Sequence, residues 1–213
     1  MIKNKVFISI VFMFFFNIFG SFLLFFPSLK EVVLALTPVN LVGMLFLFIW
    51  ANSDYSFRLI KTMIVIFLLG IFVELLGVAT GLIFGSYSYG NSLGLQFFGT
   101  PLVIGVNWLM LSLATYGISK AFFNKNILIV VFASIMMVFT DYIIEPLSGY
   151  LDFWHWPLEE IPIQNYIAWF VVSLAIQMIL VKKNFKFNTK LCAALLLSQI
   201  SFFIIQYFNY GLF

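Results

Sequence analysis

Charge is what this 213-residue chain has least of: only 9% of its residues are Asp, Glu, Lys or Arg, against about a quarter in a soluble domain. Histidine and cysteine each occur once, as His155 and Cys192. One cysteine excludes a disulfide framework and a cysteine-based metal site. One histidine excludes a His-rich centre and would leave any dinuclear metal site to carboxylates almost alone, so no metal is expected. Walker, G-x-G-x-x-G and Gly-x-Gly-Asp patterns are missing, and no linker or charge block divides the chain. Residues 1–213 therefore read as one domain.

What is present is apolar. Hydrophobic residues make up 63% of the chain and the mean hydropathy is +1.11. A spanning helix needs about 20 mostly apolar residues. Seven such runs are found, over 5–26, 30–51, 59–83, 99–119, 126–145, 163–181 and 189–208. The first follows Lys3 and Lys5 as a signal peptide would, but it is longer than a usual h-region and lacks an A-x-A-like site, so it reads as a retained helix. Lys and Arg test the count independently. With seven spans, ten of the eleven fall on the N-terminal side and only Lys30 on the other. The expectation is an all-α polytopic protein of the cell membrane, with seven transmembrane helices, the N-terminus cytoplasmic and the C-terminus outside. The net charge of +3 is then mostly a topological signal, and no nucleic-acid partner is expected.

Polar chemistry collects near the outer face. Counted at 1.5 Å per residue, Glu74 lies about 13 Å below the outer end of the third run, Asp141 about 6 Å below that of the fifth, and Asn107 and Trp108 roughly 10 Å deep in the fourth. Steps of three and four place Gly70, Glu74, Gly77, Gly81 and Gly85 on one face, and Ser134, Met137, Asp141 and Glu145 on another. Small residues let a neighbouring helix close over Glu74. Intramembrane carboxyls mark function by default; the bland alternatives are an interhelical hydrogen bond for Glu74 and helix-end solvation for Asp141 and Glu145. No Lys or Arg lies mid-span to pair with them, so desolvation favours holding at least one as the neutral acid, a candidate proton donor. Tyr87, Tyr89, Trp154 and Trp156 crowd the outer connections, where an interfacial aromatic belt is the competing explanation. Asp152, Glu159 and Glu160 read as solvated loop charges. A retinal protein is excluded, because Lys190 stands at the inner mouth of the last run.

The segments "ELLGVATGLIFGSYSYG" (74–90), "GTPLVIGVNW" (99–108), "DYIIEPLSGYLDFWHW" (141–156) and "IPIQNYIAWF" (161–170) together resemble the membrane carotenoid-biosynthesis protein family, whose characterised members include carotenoid hydratases. Matching residues include Glu74, Tyr87, Tyr89, Trp108, Asp141, Glu145, Trp154, Trp156, Asn165 and Trp169. Glu160 and Ala168 stand where the pattern has glycine. The resemblance implies a cofactor-independent carotenoid 1,2-hydratase, a hydro-lyase that adds water across the terminal C1=C2 bond of an acyclic end group such as that of lycopene or γ-carotene. It implies Glu74, Asp141 and Glu145 as catalytic residues, Glu74 as first choice for the acid and Asp141 for handling water, with these two roles exchangeable. Tyr87, Tyr89, Asn107, Trp108, Trp154, Trp156, Asn165 and Trp169 would bind substrate. Partners would be the carotenoid, water, the lipid bilayer and, as further candidates, other enzymes of carotenoid biosynthesis. Two other classes compete: a proton-coupled small-solute transporter and a non-catalytic carotenoid-binding membrane protein.

Overall fold

The computed structural model describes residues 2–52, 55–157 and 160–212. Among them are eight α-helices: α1 (Ile2–Leu23), α2 (Lys30–Ala35), α3 (Thr37–Asn52), α4 (Phe57–Thr80), α5 (Val103–Phe122), α6 (Asn126–Ser148), α7 (Ile163–Lys183) and α8 (Thr189–Tyr210). Five helical stretches, Asn4–Leu23, Phe57–Thr80, Asn126–Ser148, Ile163–Lys183 and Thr189–Tyr210, are long and apolar enough to cross a membrane. The chain is thus an all-α polytopic membrane protein. Its outer surface is correspondingly oily: on α1 alone Phe7, Phe15, Phe16 and Phe19 are exposed, far more apolar surface than a soluble monomer shows.

Three expected runs change at their edges. The 30–51 run bends by 53° between α2 and α3. Pro38, in the first turn of α3, has no N–H to give to Leu34 and its ring collides with that carbonyl, so one helix cannot continue through it. The 59–83 run stops at Thr80, because Gly81 takes a left-handed conformation (φ 66°) while its N–H donates to the Gly77 carbonyl at 2.9 Å, a common helix stop. Gly81 and Gly85 are therefore past the helix rather than on its glycine face. The 99–119 run begins only at Val103, since Gln96–Phe97 pairs with Thr100–Pro101 in a short hairpin (β2, β3).

Helix α5 sits at the centre and packs on α3, α4, α6, α7 and α8. Sixteen of its 20 residues are buried, so its neighbours are protein and its sequence is free to be less oily than a lipid-facing helix. Its hydroxyls are satisfied locally: Ser112 donates to the Trp108 carbonyl at 2.6 Å, Thr115 to Leu111 at 2.7 Å and Ser119 to Thr115 at 2.7 Å.

Connections gather at two ends. At one, Lys120 donates to Asn184 at 2.6 Å and to the Phe185 carbonyl at 2.5 Å, and Arg58 lies 5.1 Å over the Phe185 ring. At the other, Ser88–Tyr89 (β1) pairs antiparallel with Trp154–His155 (β4) in the register Ser88 to His155 and Tyr89 to Trp154. Gly90 N–H donates to the Phe153 carbonyl at 3.0 Å and Asn91 N–H to the Asp152 carboxylate at 2.8 Å. Asp152 is partly buried, which raises its pKa, but hydrogen bonds from His155, Asn91 and Ser92 outweigh that and hold it below the usual carboxylate value. This clasp closes the loop after α4 over the end of α6.

Candidate functional site

Glycine places the first carboxyl. A Cβ at Gly70 would stand 2.8 Å from the Trp108 Cβ, so α5 reaches α4 only because that position is bare. The Trp108 indole N–H then donates to Glu74 Oε1 at 2.8 Å. Gly77, about two turns beyond Gly70, similarly leaves room for the returning loop, since its Cβ would lie 2.7 Å from the Phe84 ring. Through that gap Tyr87 and Tyr89 donate to Glu74 Oε2 at 2.5 and 2.7 Å. Burial first, and then the adjacent Glu74, push both phenols above their ordinary pKa, which keeps them as O–H donors.

Asp141 and Glu145 lie one turn apart on α6 and are 0% and 3% exposed. Asn165 of α7 ties them together, its two amide hydrogens going to Asp141 Oδ2 and Glu145 Oε1, each at 2.8 Å. The β4 clasp supplies the rest: Trp154 and Trp156 both donate to Glu145 Oε2, at 3.0 and 2.6 Å. Asp141 Oδ1 is buried with no hydrogen-bond partner among the described residues.

Seven donor contacts thus reach three carboxyls, and the division is uneven. Glu74 and Glu145 take three each and Asp141 takes one. Indole and amide N–H groups only donate, whereas a phenol also accepts. Glu145 is therefore built as an acceptor. Glu74 can exchange a proton with either tyrosine, and Asp141 has a bare oxygen on which a proton fits.

All three carboxyls open onto one cavity of about 20 Å³, room for a single water. Tyr87, Tyr89, Trp154, Trp156, Asn165 and Trp169 also line it. Trp108 stands behind Glu74 and stacks on Trp169 with ring centres 4.0 Å apart. Asn107 is not brought in: it faces a different, larger cavity. Phe84 and Ile104 complete the lining; neither carries polar chemistry, and only Phe84's place in the "GLIFGSYSYG" stretch hinted at it. Among the described residues no group of three or more His, Cys, Asp or Glu side chains converges as a metal site would. His155 pairs with Asp152 at 3.0 Å and lies outside the cavity. Glu160 is exposed, and Glu159 lies outside the described residues.

Three buried carboxyls ringed by indoles and phenols thus sit at one end of the apolar helical bundle of a polytopic membrane protein. The model of the carotenoid biosynthesis protein family matches residues 35–210. The chain belongs to that family, which assigns it to carotenoid synthesis in a membrane. No curated protein and no solved structure matches it.

Proposed function

We propose that the protein is a cofactor-independent carotenoid 1,2-hydratase acting on an acyclic end group. The observation that carries this reading is the donor imbalance: a carboxyl with a bare oxygen shares a water-sized cavity with two well-donated carboxyls and a wall of aromatic rings. Hydration needs those parts. A proton moves from the acid to C2, using the C1=C2 electron pair and leaving a tertiary cation at C1. Water attacks C1 and gives up a proton to a carboxylate, and the proton then returns to the acid through the shared cavity. One water is added, and no electron carrier takes part.

The donor count favours Asp141 as the acid and Glu74, with Tyr87 and Tyr89, as the acceptor of the water proton, an exchange of the two roles expected from sequence. Alkenes are poor bases, so most of the barrier reduction must come from stabilising the cation. The faces of Tyr87, Tyr89, Trp154 and Trp156 supply cation–π attraction of about 0.5–2 kcal/mol each. The carboxylates supply electrostatic contacts of a kind worth about 2.7–4 kcal/mol when removed.

The same reading takes α5 as a span, because a helix enclosed by protein needs no lipid-facing surface. With α2–α3 as one bent span, seven helices cross the cytoplasmic membrane, the lysine-rich end inside and the carboxyl cavity toward the outer face. Expression in cells making lycopene or γ-carotene should yield a carotenoid one water heavier, seen by chromatography and mass spectrometry. Asp141→Asn and Glu74→Gln should each abolish it while the protein still inserts. Absence of any such product from the native chain refutes the hydratase.

A further inference from the structure

A second cavity of about 310 Å³ lies between α1, the α2–α3 bend, α5 and α8, at the lower end of the size range of small-molecule sites. Ile104 and Trp154 belong to its wall and also to the wall of the carboxyl cavity. They are the partition between the two. On its far side Phe16, Phe19 and Leu36 are 47%, 49% and 53% exposed, so the cavity reaches the apolar flank of the bundle beside the helix bend, where lipid would lie.

The lining is mainly hydrocarbon; of its polar members Asn17, Thr37, Asn40, Asn107 and Gln199, Asn17 and Asn40 already have partners, Asn40 donating to Asn17 Oδ1 at 3.5 Å and Asn17 to the Met13 carbonyl at 2.9 Å, and the other two amides matter. Asn107, one turn from Ile104, and Gln199 of α8 are 9% and 6% exposed. Neither side chain hydrogen-bonds to a described residue. A buried amide left without a partner is costly, and a plain polyene in this space would leave Asn107 and Gln199 unpaired. A branched chain carrying one hydroxyl matches it: apolar over its length, with an oxygen that both accepts and donates.

Resting on the hydratase reading for the identity of that alcohol, we propose that this cavity receives the hydrated end group. The chain end passes the Ile104–Trp154 partition, its tertiary hydroxyl pairs with Asn107 and Gln199, and the product leaves sideways between α1 and the α2–α3 bend. No bond is made or broken in this step. Asn107 and Gln199 are then product-binding residues, and the partition separates chemistry from release.

The structure offers a clean way to close the cavity. Gly20 lines it, and a Cβ built there meets nothing within 4 Å, so the backbone accepts a side chain at this position and Gly20→Phe is the variant that introduces a ring at the cavity wall. Purified protein in lipid nanodiscs is titrated with two probes, lycopene and the alcohol formed by adding one water to one of its ends, and the bound pigment is identified by mass. The native protein should bind the alcohol at least tenfold more tightly than lycopene. Gly20→Phe should weaken alcohol binding at least tenfold, and Asn107→Leu combined with Gln199→Leu should reduce it to the level of lycopene. Equal binding of both probes by the native protein, or unchanged alcohol binding in either variant, overturns the proposal. The double variant gives its own answer should Gly20→Phe fail to insert. The two readings fail differently: a protein that makes no hydrated carotenoid yet prefers the alcohol leaves the binding site standing, and one that hydrates lycopene but binds both probes equally leaves only the chemistry.

Discussion

Replacing each carboxyl by its amide tests the donor count directly, because the three sites punish an added N–H₂ differently. At Glu145, an amide oxygen facing Trp154 and Trp156 turns the new N–H₂ toward the Asn165 amide 2.8 Å away; the reverse orientation faces it at two indole donors. Either way buried donors confront each other. An unsatisfied buried group costs about 1–3 kcal/mol and a lost hydrogen bond to a charged group about 1.5–3 kcal/mol, so Glu145→Gln should destabilise by roughly 2.5–6 kcal/mol. At Asp141 the amide oxygen keeps its bond from Asn165 and the N–H₂ takes the unpartnered Oδ1 position, so Asp141→Asn should change stability by less than about 1 kcal/mol. Glu74→Gln falls between, since its N–H₂ can donate to the two phenol oxygens once they rotate. Thermal unfolding in detergent, followed by tryptophan emission, should show Glu145→Gln melting well below the other two, at about 2–4 °C per kcal/mol for a chain this size. Equal melting points for Glu145→Gln and Asp141→Asn would refute the assignment of a bare oxygen to Asp141.

Other outcomes follow from the packing and the clasp. Gly70→Ala places a methyl 2.8 Å from the Trp108 Cβ, and should cost about 1–3 kcal/mol and reduce the near-ultraviolet circular dichroism of the stacked Trp108–Trp169 pair; an unchanged spectrum would contradict the close approach. Asp152 has a lowered folded-state pKa, so its contribution is complete above the ordinary carboxylate value near 4 and is lost as pH falls through the folded value. Tyr89 and Trp154 emission should therefore report a loosened clasp at acid pH, and Asp152→Asn should remove that dependence.

Much of this was legible in the sequence, for identifiable reasons. Hydropathy located the helices because lipid imposes a length and an apolar surface on them. Glu74 stood out because nothing in its run explains a carboxyl, and Gly70 and Gly77 correctly signalled close approach. The glycine face was extended too far, however: Gly81 ends the helix with a positive φ, a fact about the backbone that three-and-four spacing does not carry. The bend at Pro38 was hidden within a continuous apolar run. Asn107 looked equivalent to Trp108, its neighbour, yet adjacent positions on a helix point about 100° apart, and the two face different cavities. The donor imbalance was beyond the sequence altogether, because it depends on β1 and β4, whose paired residues are 65 and 67 apart in the chain, bringing four rings onto two carboxyls.

Incubating the purified protein with lycopene in ¹⁸O-labelled water shows whether it adds solvent water to the carotenoid. A hydratase forms a tertiary alcohol one labelled water heavier, without added cofactor, and Asp141→Asn forms none. Unaltered lycopene, or a product whose oxygen does not come from the solvent, would contradict the hydratase reading.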